Sequence, residues 1–448
     1  MKYCIILLNI LFVVAAGCKQ DHYQIPAASF DDGPPGPPSV VKTVRVNDKW
    51  RLLVNDTDFY IKGVAANDYW QDAIRYGANA VRTYGVSKST KSIMDSVYKV
   101  GLFVNFGIYI KREVDGFDYN DEAAVKAQFE STKAAVNRFK DHPALLVWSI
   151  GNEAEASYTN RRLWTAINDI AKMIHEIDKN HPTTVTLATS NVDHIRNIMQ
   201  LAPEIDILSV NCYAPNLPGV PANLQAAGWN KPYMITEFGP RGTWQMAPEP
   251  QRILPWGGLV EQTSTEKAAD YLHAYQQEIL PNRDKGCLGS FVFLWGYQRH
   301  GEVLTWYGLF DKKKNSFEAA DAMQYAWTGQ YPANRAPVIA SRNDLLLNGK
   351  KAEAAVTLPV NGQNNTAMVT AADPEGDPLT YEWLIVKEKA AASDGSLPEG
   401  MEGLIADNKK AQISFKAPAE GGAYRLYVFV RDDTHKKVAS AVIPFLVN

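Results

Sequence analysis

Short apolar segments alternate with amphipathic segments through the first three quarters of the chain. Each apolar segment carries its hydrophobic residues consecutively, which is expected of a strand that is buried on both faces of a parallel sheet. We predict eight such strands, at residues 59–64, 78–84, 102–108, 145–150, 184–188, 205–210, 233–236 and 290–294. The polar-and-apolar stretches between them predict helices at 70–76, 88–100, 122–140, 161–178, 192–201, around Leu224, 265–279 and 317–327.

Eight consecutive strand–helix units occupy roughly 270 residues, close to the usual size of about 250 for a TIM barrel. A doubly wound open sheet is the alternative architecture, but no glycine-rich phosphate loop follows the first strand. A β-hairpin at 43–54, with a turn at Asn47-Asp48, precedes the first unit. We therefore predict a (β/α)8 barrel over residues 42–331.

The pattern changes after the Pro- and Asn-containing segment 331–337, where helical periodicity ends. Short apolar runs with regular spacing follow at 356–360, 366–371, 379–386, 411–415, 424–430 and 439–447. Such spacing is typical of a β-sandwich. The turn at 373–378 and the strand after it resemble bacterial immunoglobulin-like modules. We expect an immunoglobulin-like domain over 332–448 that acts as a spacer or packing partner of the barrel.

The first residues have the pattern of a targeting signal. Lys2 precedes an apolar run at 5–16 that is too short for a stable membrane span, as in a secretory signal. The run ends at Cys18 and resembles a bacterial lipoprotein signal, which predicts a signal peptide at 1–17 and lipidation of Cys18. A plain signal peptide is the alternative. Residues 18–41 are rich in Pro and Gly, which predicts a stiff tether.

These features predict an exported lipoprotein of the outer membrane, facing the cell surface or alternatively the periplasm. Membrane contact would occur only through the lipid on Cys18.

The composition bears on which classes of ligand the protein can bind. The chain has 46 Lys and Arg against 49 Asp and Glu, a net charge of −3, so it has no basic excess for nucleic acid. It also has 11 Trp and 21 Tyr, whose flat amphipathic rings can fill a core or stack against sugars.

Two predicted strands deliver a carboxylate to the same edge of the barrel. The fourth strand leads into Gly151-Asn152-Glu153, and the seventh leads into Glu237. Active sites of TIM barrels lie at the carboxyl ends of the strands, and the fourth and seventh strands face each other across that mouth. Two carboxylates that flank a glycosidic bond are the groups that its hydrolysis requires.

Residues 142–153, His-Pro-Ala-Leu-Leu-Val-Trp-Ser-Ile-Gly-Asn-Glu, resemble the acid/base motif of clan A glycoside hydrolases, especially the family 2 barrel. Residues 235–239, Ile-Thr-Glu-Phe-Gly, are similar to the nucleophile strand of that clan. The resemblance implies that Glu153 is the acid/base and Glu237 the nucleophile of a retaining double displacement. The sequence has no His-Glu-x-x-His pattern, Cys cluster or nucleotide loop, and a two-carboxylate reaction needs none, so we expect no metal and no organic cofactor.

The same resemblance implies roles for further residues. Asn152 would bond the sugar 2-hydroxyl, Arg82 would steady the nucleophile, and Tyr213 would donate to Glu237. Trp295, at the end of the eighth strand, would form the platform under the sugar. Further platforms, or else ordinary packing residues, are the tryptophans on predicted loops: Trp70, Trp244, Trp256 and Trp306.

A full family 2 enzyme carries β-domains before its barrel, whereas here a short hairpin precedes it. The lipoprotein signal, lone barrel and single sandwich look more like the family 158 endo-β-1,3-glucanases of gut Bacteroidota. That resemblance implies endo-hydrolysis of laminarin-type β-1,3-glucan. Expected partners are the polysaccharide or oligosaccharide substrate and neighbouring surface proteins of glycan uptake. The alternatives are another clan A activity, such as a family 2-like exo-β-glycosidase or a β-mannanase, and a non-catalytic surface glycan-binding lipoprotein.

Overall fold

The computed structural model describes residues 34–66, 69–298, 304–388 and 399–448. The chain begins there with a small antiparallel sheet of three strands: β1 (Val41–Val46), β2 (Lys49–Val54) and β3 (Thr57–Asp58). Asn-Asp pairs with positive φ form both turns, because Asn and Asp tolerate left-handed backbone conformations. Residues 1–33, including Cys18 and the predicted signal peptide, lie outside the described residues.

Eight parallel strands form a closed barrel, in the spatial order β10-β11-β4-β5-β6-β7-β8-β9. Pairing of β11 with β4 closes the ring. The predicted TIM barrel is therefore confirmed. The strands are β4 (Ile61–Ala66), β5 (Ala80–Arg82), β6 (Phe103–Ile108), β7 (Leu145–Asn152), β8 (Thr183–Leu187), β9 (Ile207–Asn211), β10 (Tyr233–Phe238) and β11 (Cys287–Trp295).

Helices follow the strands and pack against the outside of the barrel. They are α1 (Trp70–Ala73), α2 (Thr90–Lys99), α3 (Glu122–Phe139), α4 (Arg162–Ile177), α5 (Val192–Leu201), α6 (Val220–Ala227), α7 (Ser264–His273) and α8 (Glu318–Thr328). In α4, the buried residues Leu163, Ile167, Ile170 and Ile174 recur at helical spacing and form one apolar stripe. Within the described segments, no helix has the length and apolar character needed to cross a membrane.

The three-stranded sheet covers the amino-terminal end of the barrel. Leu52 and Val54 pack in one cluster with Leu146 and Met234 of the barrel strands. The Trp50 indole also donates to the Asn230 carbonyl, just before β10 begins. The opposite, carboxyl end of the strands is therefore the open mouth.

The carboxyl-terminal residues form two sheets around a common core. One sheet has the order β12-β14-β16, and the other has the order β13-β18-β17-β15. A carboxyl-terminal β domain follows the barrel, as the spacing of apolar runs predicts; of its strands, only β12 is missing from that prediction. The strands are β12 (Leu345–Leu347), β13 (Thr357–Leu358), β14 (Asn365–Val369), β15 (Thr380–Lys387), β16 (Gln412–Phe415), β17 (Gly422–Asp432) and β18 (Lys437–Val447).

The β domain packs directly on the barrel. Lys437 of β18 pairs with the fully buried Asp321 of α8. The backbone amide of Ser440 donates to the Ser264 hydroxyl at the start of α7, over 2.9 Å. These buried polar contacts join the β domain to the last two helices of the barrel.

Candidate active site

Glu237 lies at the carboxyl end of β10 and is 6% exposed. Its carboxylate accepts three hydrogen bonds from side chains of other strands and loops. Arg82 Nη1 and Tyr84 Oη donate to Oε1 over 2.8 and 2.9 Å, and Tyr213 Oη donates to Oε2 over 2.5 Å. The carboxylate is thus held in one orientation, partly by a charge-assisted bond.

Arg82 is buried at the end of β5 and connects several elements of the mouth. Besides Glu237, Nη1 donates to the Thr236 carbonyl over 2.9 Å, and Nη2 donates to Asn152 Oδ1 over 2.6 Å. The guanidinium also lies over the Tyr84 ring, 4.5 Å from its centroid, in a cation–π contact. Arg82 therefore positions Glu237 and Asn152 together.

Glu153 follows the last residue of β7 and has a different environment. Its backbone is left-handed, with φ 51°, and its amide donates to the Thr186 carbonyl of β8 over 2.9 Å. The carboxylate accepts from Asn211 Nδ2 over 2.7 Å. Burial raises the pKa of Glu153, and the nearby charge of Glu237 raises this pKa further. A raised pKa favours the protonated form, which a general acid needs.

Asn211 links the surroundings of the two carboxylates. Its Nδ2 donates to Asn152 Oδ1 over 3.0 Å as well as to Glu153, and its Oδ1 accepts from Arg82 Nη1 over 3.1 Å. The sequence analysis does not single out Asn211 or Tyr84. The available signal was their position, since Asn211 ends β9 and Tyr84 lies two residues after β5.

An aromatic cluster borders Glu237 on the side away from Arg82. The Tyr213 ring lies 5.5 Å from both Trp244 and Tyr307, and 5.9 Å from Phe293. Trp244 is 51% exposed, so it offers a free ring surface at the mouth. Trp244 thus lies beside the residues that surround Glu237, and its role as a sugar platform stays a prediction.

Trp295 requires a correction. It was expected under the sugar, but it is fully buried and packs outside the barrel against Phe310 and Trp327, with centroids 5.0 and 6.4 Å away. The pairing of β11 with β4 shifts register between Val292 and Trp295. A shift of one residue exchanges the two faces of a strand. Phe293, not Trp295, therefore joins the cluster at the mouth.

Three other tryptophans pack against neighbouring parts of the protein. Trp306 is buried and donates its indole N–H to the Arg241 carbonyl over 2.9 Å. Trp256 packs against the core of the carboxyl-terminal β domain. Trp70 is half-buried at the start of α1, against the core between barrel and helices. Ordinary packing, which the sequence analysis left open, describes these three residues.

Residues 44–244 match the model of glycosyl hydrolases family 2, TIM barrel domain. The matched segment contains both Glu153 and Glu237. The chain therefore has a family 2-like barrel, which bears out the family 2 part of the resemblance. No curated protein matches the chain in sequence.

The chain is also similar to several solved structures. Bifidobacterium dentium β-glucuronidase has a TM-score of 0.50 at 16% identity, covering 66% of this chain and 50% of that one. Dictyoglomus thermophilum β-D-glucuronidase has a TM-score of 0.48 at 15% identity, covering 66% and 54%. A Bacteroides fragilis protein described as a β-galactosidase has a TM-score of 0.48 at 15% identity, covering 92% and 58%. The chain spans between 50% and 58% of the lengths of these proteins.

Proposed function

We propose that this protein is a retaining glycoside hydrolase, with Glu237 as nucleophile and Glu153 as acid/base. The observation that carries the proposal is the contrast between two carboxylates in one hydrogen-bonded network. Glu237 accepts from the Arg82 cation and two tyrosines, whereas Glu153 accepts from the neutral amide of Asn211. When the environments of two carboxyl groups differ in this way, one group can act as nucleophile and the other as acid/base.

In the first step, the Glu237 carboxylate attacks the anomeric carbon while the bond from that carbon to the glycosidic oxygen breaks. Glu153 gives its proton to the departing oxygen, so the leaving group departs as an alcohol. Arg82 and the two tyrosines that hold Glu237 keep it aimed at the anomeric carbon. A glycosyl ester of Glu237 results.

In the second step, Glu153 is a carboxylate and accepts a proton from water as the water oxygen attacks the anomeric carbon. The bond to Glu237 breaks, and the sugar is released with its original anomeric configuration. Loss of the charge on Glu237 in the intermediate removes one cause of the raised pKa of Glu153. This change favours its switch from acid to base.

We propose endo-hydrolysis of laminarin-type β-1,3-glucan as the specific activity. The exposed ring of Trp244 beside the aromatic cluster supports binding of sugars beyond the cleavage point. The architectural resemblance to family 158 endo-β-1,3-glucanases points to the same substrate. The second candidate is an exo-β-glycosidase, which the family 2 model match favours.

The product profile on a panel of glycans tests both candidates. The panel comprises laminarin, linear β-1,3-glucan, mixed-linkage glucan, mannan, galactan and aryl β-glycosides, including the glucuronide and galactoside. An oligosaccharide ladder from laminarin supports endo-glucanase action, and monosaccharide release from aryl glycosides alone supports the exo-enzyme. Attack on mannan alone would identify a β-mannanase.

Substitutions of the carboxylates test the mechanism on the same panel. Glu237→Gln should abolish turnover, and Glu204→Gln is the matched control, because Glu204 is half-exposed and lies before β9, at the other end of the barrel. Turnover that survives Glu237→Gln would refute the nucleophile assignment. If the unaltered protein cleaves no glycan of the panel but binds one of them, the result would favour the alternative of a non-catalytic glycan-binding protein.

The predicted location remains part of the proposal. We infer that acylation of Cys18 tethers the barrel to the outer membrane, on the evidence of the signal sequence. Labelling of expressing cells with an alkyne fatty acid, with Cys18→Ser as control, tests this. We also propose an immunoglobulin-like relationship for the carboxyl-terminal β domain, which its two packed sheets support.

A further inference from the structure

The loop after β6, residues 109–117, forms a second part of the rim and carries an exposed aromatic ring. Tyr109 is 40% exposed, and its hydroxyl donates to Asp115 Oδ2 over 3.2 Å. Asp115 also accepts from Arg112 through Nε and Nη2, over 2.8 and 3.0 Å. The Tyr109 hydroxyl is therefore held in place at a ring that is partly exposed.

This loop lies directly beside the proposed acid. Ile110 packs so closely on the turn before Glu153 that a Cβ atom on Gly151 would lie 3.4 Å from it. Glu113 accepts from the backbone amides of Thr159 and Asn160, which belong to the loop after β7. The charge of Arg112 also acts on Glu153. The loop after β6 and the loop that carries Glu153 therefore form one bonded unit.

Tyr109 and Trp244 stand on opposite sides of the mouth. Tyr109 directly follows β6, and Trp244 follows β10. In the closed ring of eight strands these two are four positions apart, which is the largest possible separation. An exposed aromatic ring is thus present on each side of the space between Glu153 and Glu237.

We propose that Tyr109 forms a binding subsite for a sugar of the leaving group. The inference rests on the proposed function: Glu153 protonates the departing oxygen, so the departing unit lies on the side of Glu153 and its neighbouring loop. The Tyr109 ring would stack on the apolar face of that sugar, and Arg112 and Asp115 would bond its hydroxyl groups. The substrate class is then a glycan cleaved between two sugars, as an endo-acting enzyme requires, and not a simple glycoside of a small alcohol.

The decisive experiment compares two kinds of substrate for Tyr109→Ala in the full chain. One is an oligosaccharide that the unaltered enzyme cleaves, and the other is the β-glycosyl fluoride of the same glycone, which has no sugar on the leaving side. We expect kcat/KM to fall about tenfold on the oligosaccharide. The loss on the fluoride should be several times smaller. Tyr109→Phe, which keeps the ring, should recover most of the lost activity.

Val114→Ala is the matched control, because Val114 is an equally exposed apolar residue of the same loop. A second readout uses enzyme trapped as its 2-deoxy-2-fluoroglycosyl ester. Transfer to an added acceptor sugar should slow in Tyr109→Ala relative to release by water, since the acceptor occupies the same subsite.

Equal losses on oligosaccharide and fluoride, or an unchanged ratio of transfer to hydrolysis, would overturn the subsite while leaving the proposed function intact. Failure of the unaltered enzyme to form the ester or to cleave any glycoside would overturn both proposals.

Discussion

At the scale of single residues, chemistry is set by what surrounds a side chain more than by its type. Glu153 and Glu237 have the same carboxyl group, yet one faces a neutral amide and the other a buried guanidinium. Burial and the charge of Glu237 are the main causes that raise the pKa of Glu153, and Asn211, Arg82 and Arg112 act in the opposite direction. The contribution of each of these four side chains can therefore be removed separately by a substitution.

The first prediction concerns the protonation of Glu153. Glu237→Gln removes a negative charge that raises the pKa of Glu153, so this pKa should fall. Arg112→Gln removes a positive charge and should raise the same pKa. Titration of carboxyl-labelled protein by carbon NMR measures both shifts. Shifts in the same direction in both variants would contradict the electrostatic explanation.

The second prediction concerns Glu155, a buried carboxyl group that the proposed chemistry does not use. It accepts from the Ala188 amide over 2.7 Å, and burial raises its pKa to about 8. The folded protein therefore holds this proton at pH values where the unfolded chain has released it. Stability should fall as pH rises from about 4.5, the ordinary pKa of Glu, to about 8.

Glu155→Gln should remove this dependence, because an amide does not titrate. Its stability relative to the unaltered protein should improve between pH 4 and pH 8 by about 4 kcal/mol. Urea unfolding at several pH values measures it. A constant difference across that range would show that Glu155 is ionised in the folded state.

At the scale of elements, the loop between β10 and α7 connects the mouth with the β domain. Near its start, Trp244 belongs to the aromatic cluster beside Glu237. Farther along, Leu254 and Val260 are buried in the core of the carboxyl-terminal sheets. Arg425 of β17 donates through Nη1 to the Leu259 carbonyl over 2.9 Å. The β domain thus anchors a loop that contributes to the mouth.

The third prediction is that Arg425→Met loosens this loop. The substitution removes the hydrogen bond to the Leu259 carbonyl. It also removes the two hydrogen bonds and the positive charge that Arg425 presents to the Glu388 carboxylate. We expect KM for the glycan to rise about three- to tenfold, a loss of about 1 kcal/mol in binding, with a smaller change in kcat. Steady-state kinetics measure the changes in KM and kcat separately. Lys410→Met is the control, because Lys410 lies on the exposed surface of the same domain. An unchanged KM would show that the contact between Arg425 and Leu259 does not affect substrate binding at the mouth.

At the scale of the whole molecule, the barrel and the β domain share buried ion pairs. Lys437 pairs with Asp321, and Arg431 donates to Asp311 Oδ2 over 3.1 Å. All four side chains are largely buried. A buried charge without its partner is costly, so these pairs tie the folding of one domain to the other.

The fourth prediction follows from that coupling. Lys437→Met leaves the carboxylate of Asp321 unpaired and should destabilise the protein by about 3–5 kcal/mol. The double variant Lys437→Met/Asp321→Leu should recover most of that loss, because no buried charge remains. Urea unfolding measures each variant, and calorimetry should give one cooperative transition. Two separate transitions would contradict the coupling of the domains.

The sequence by itself determined the barrel and the location of its chemistry. Alternation of apolar runs with helical stretches is a local property of the backbone, so it predicts β7 and β10 without knowledge of their neighbours. The carboxyl ends of parallel strands share one mouth, and this placed Glu153 and Glu237 together before any contact was known.

Only the tertiary structure decided which side chains complete that mouth. The register shift in β11 turns Trp295 outward, so Phe293 is the ring of this strand that joins the cluster at the mouth, and no local pattern marks such a shift. Asn211 joins the network because it lies against Arg82, from which it is 129 positions away in the chain. Periodicity describes how a segment buries its own faces, whereas hydrogen-bond partners and exposed rings depend on which distant segments meet.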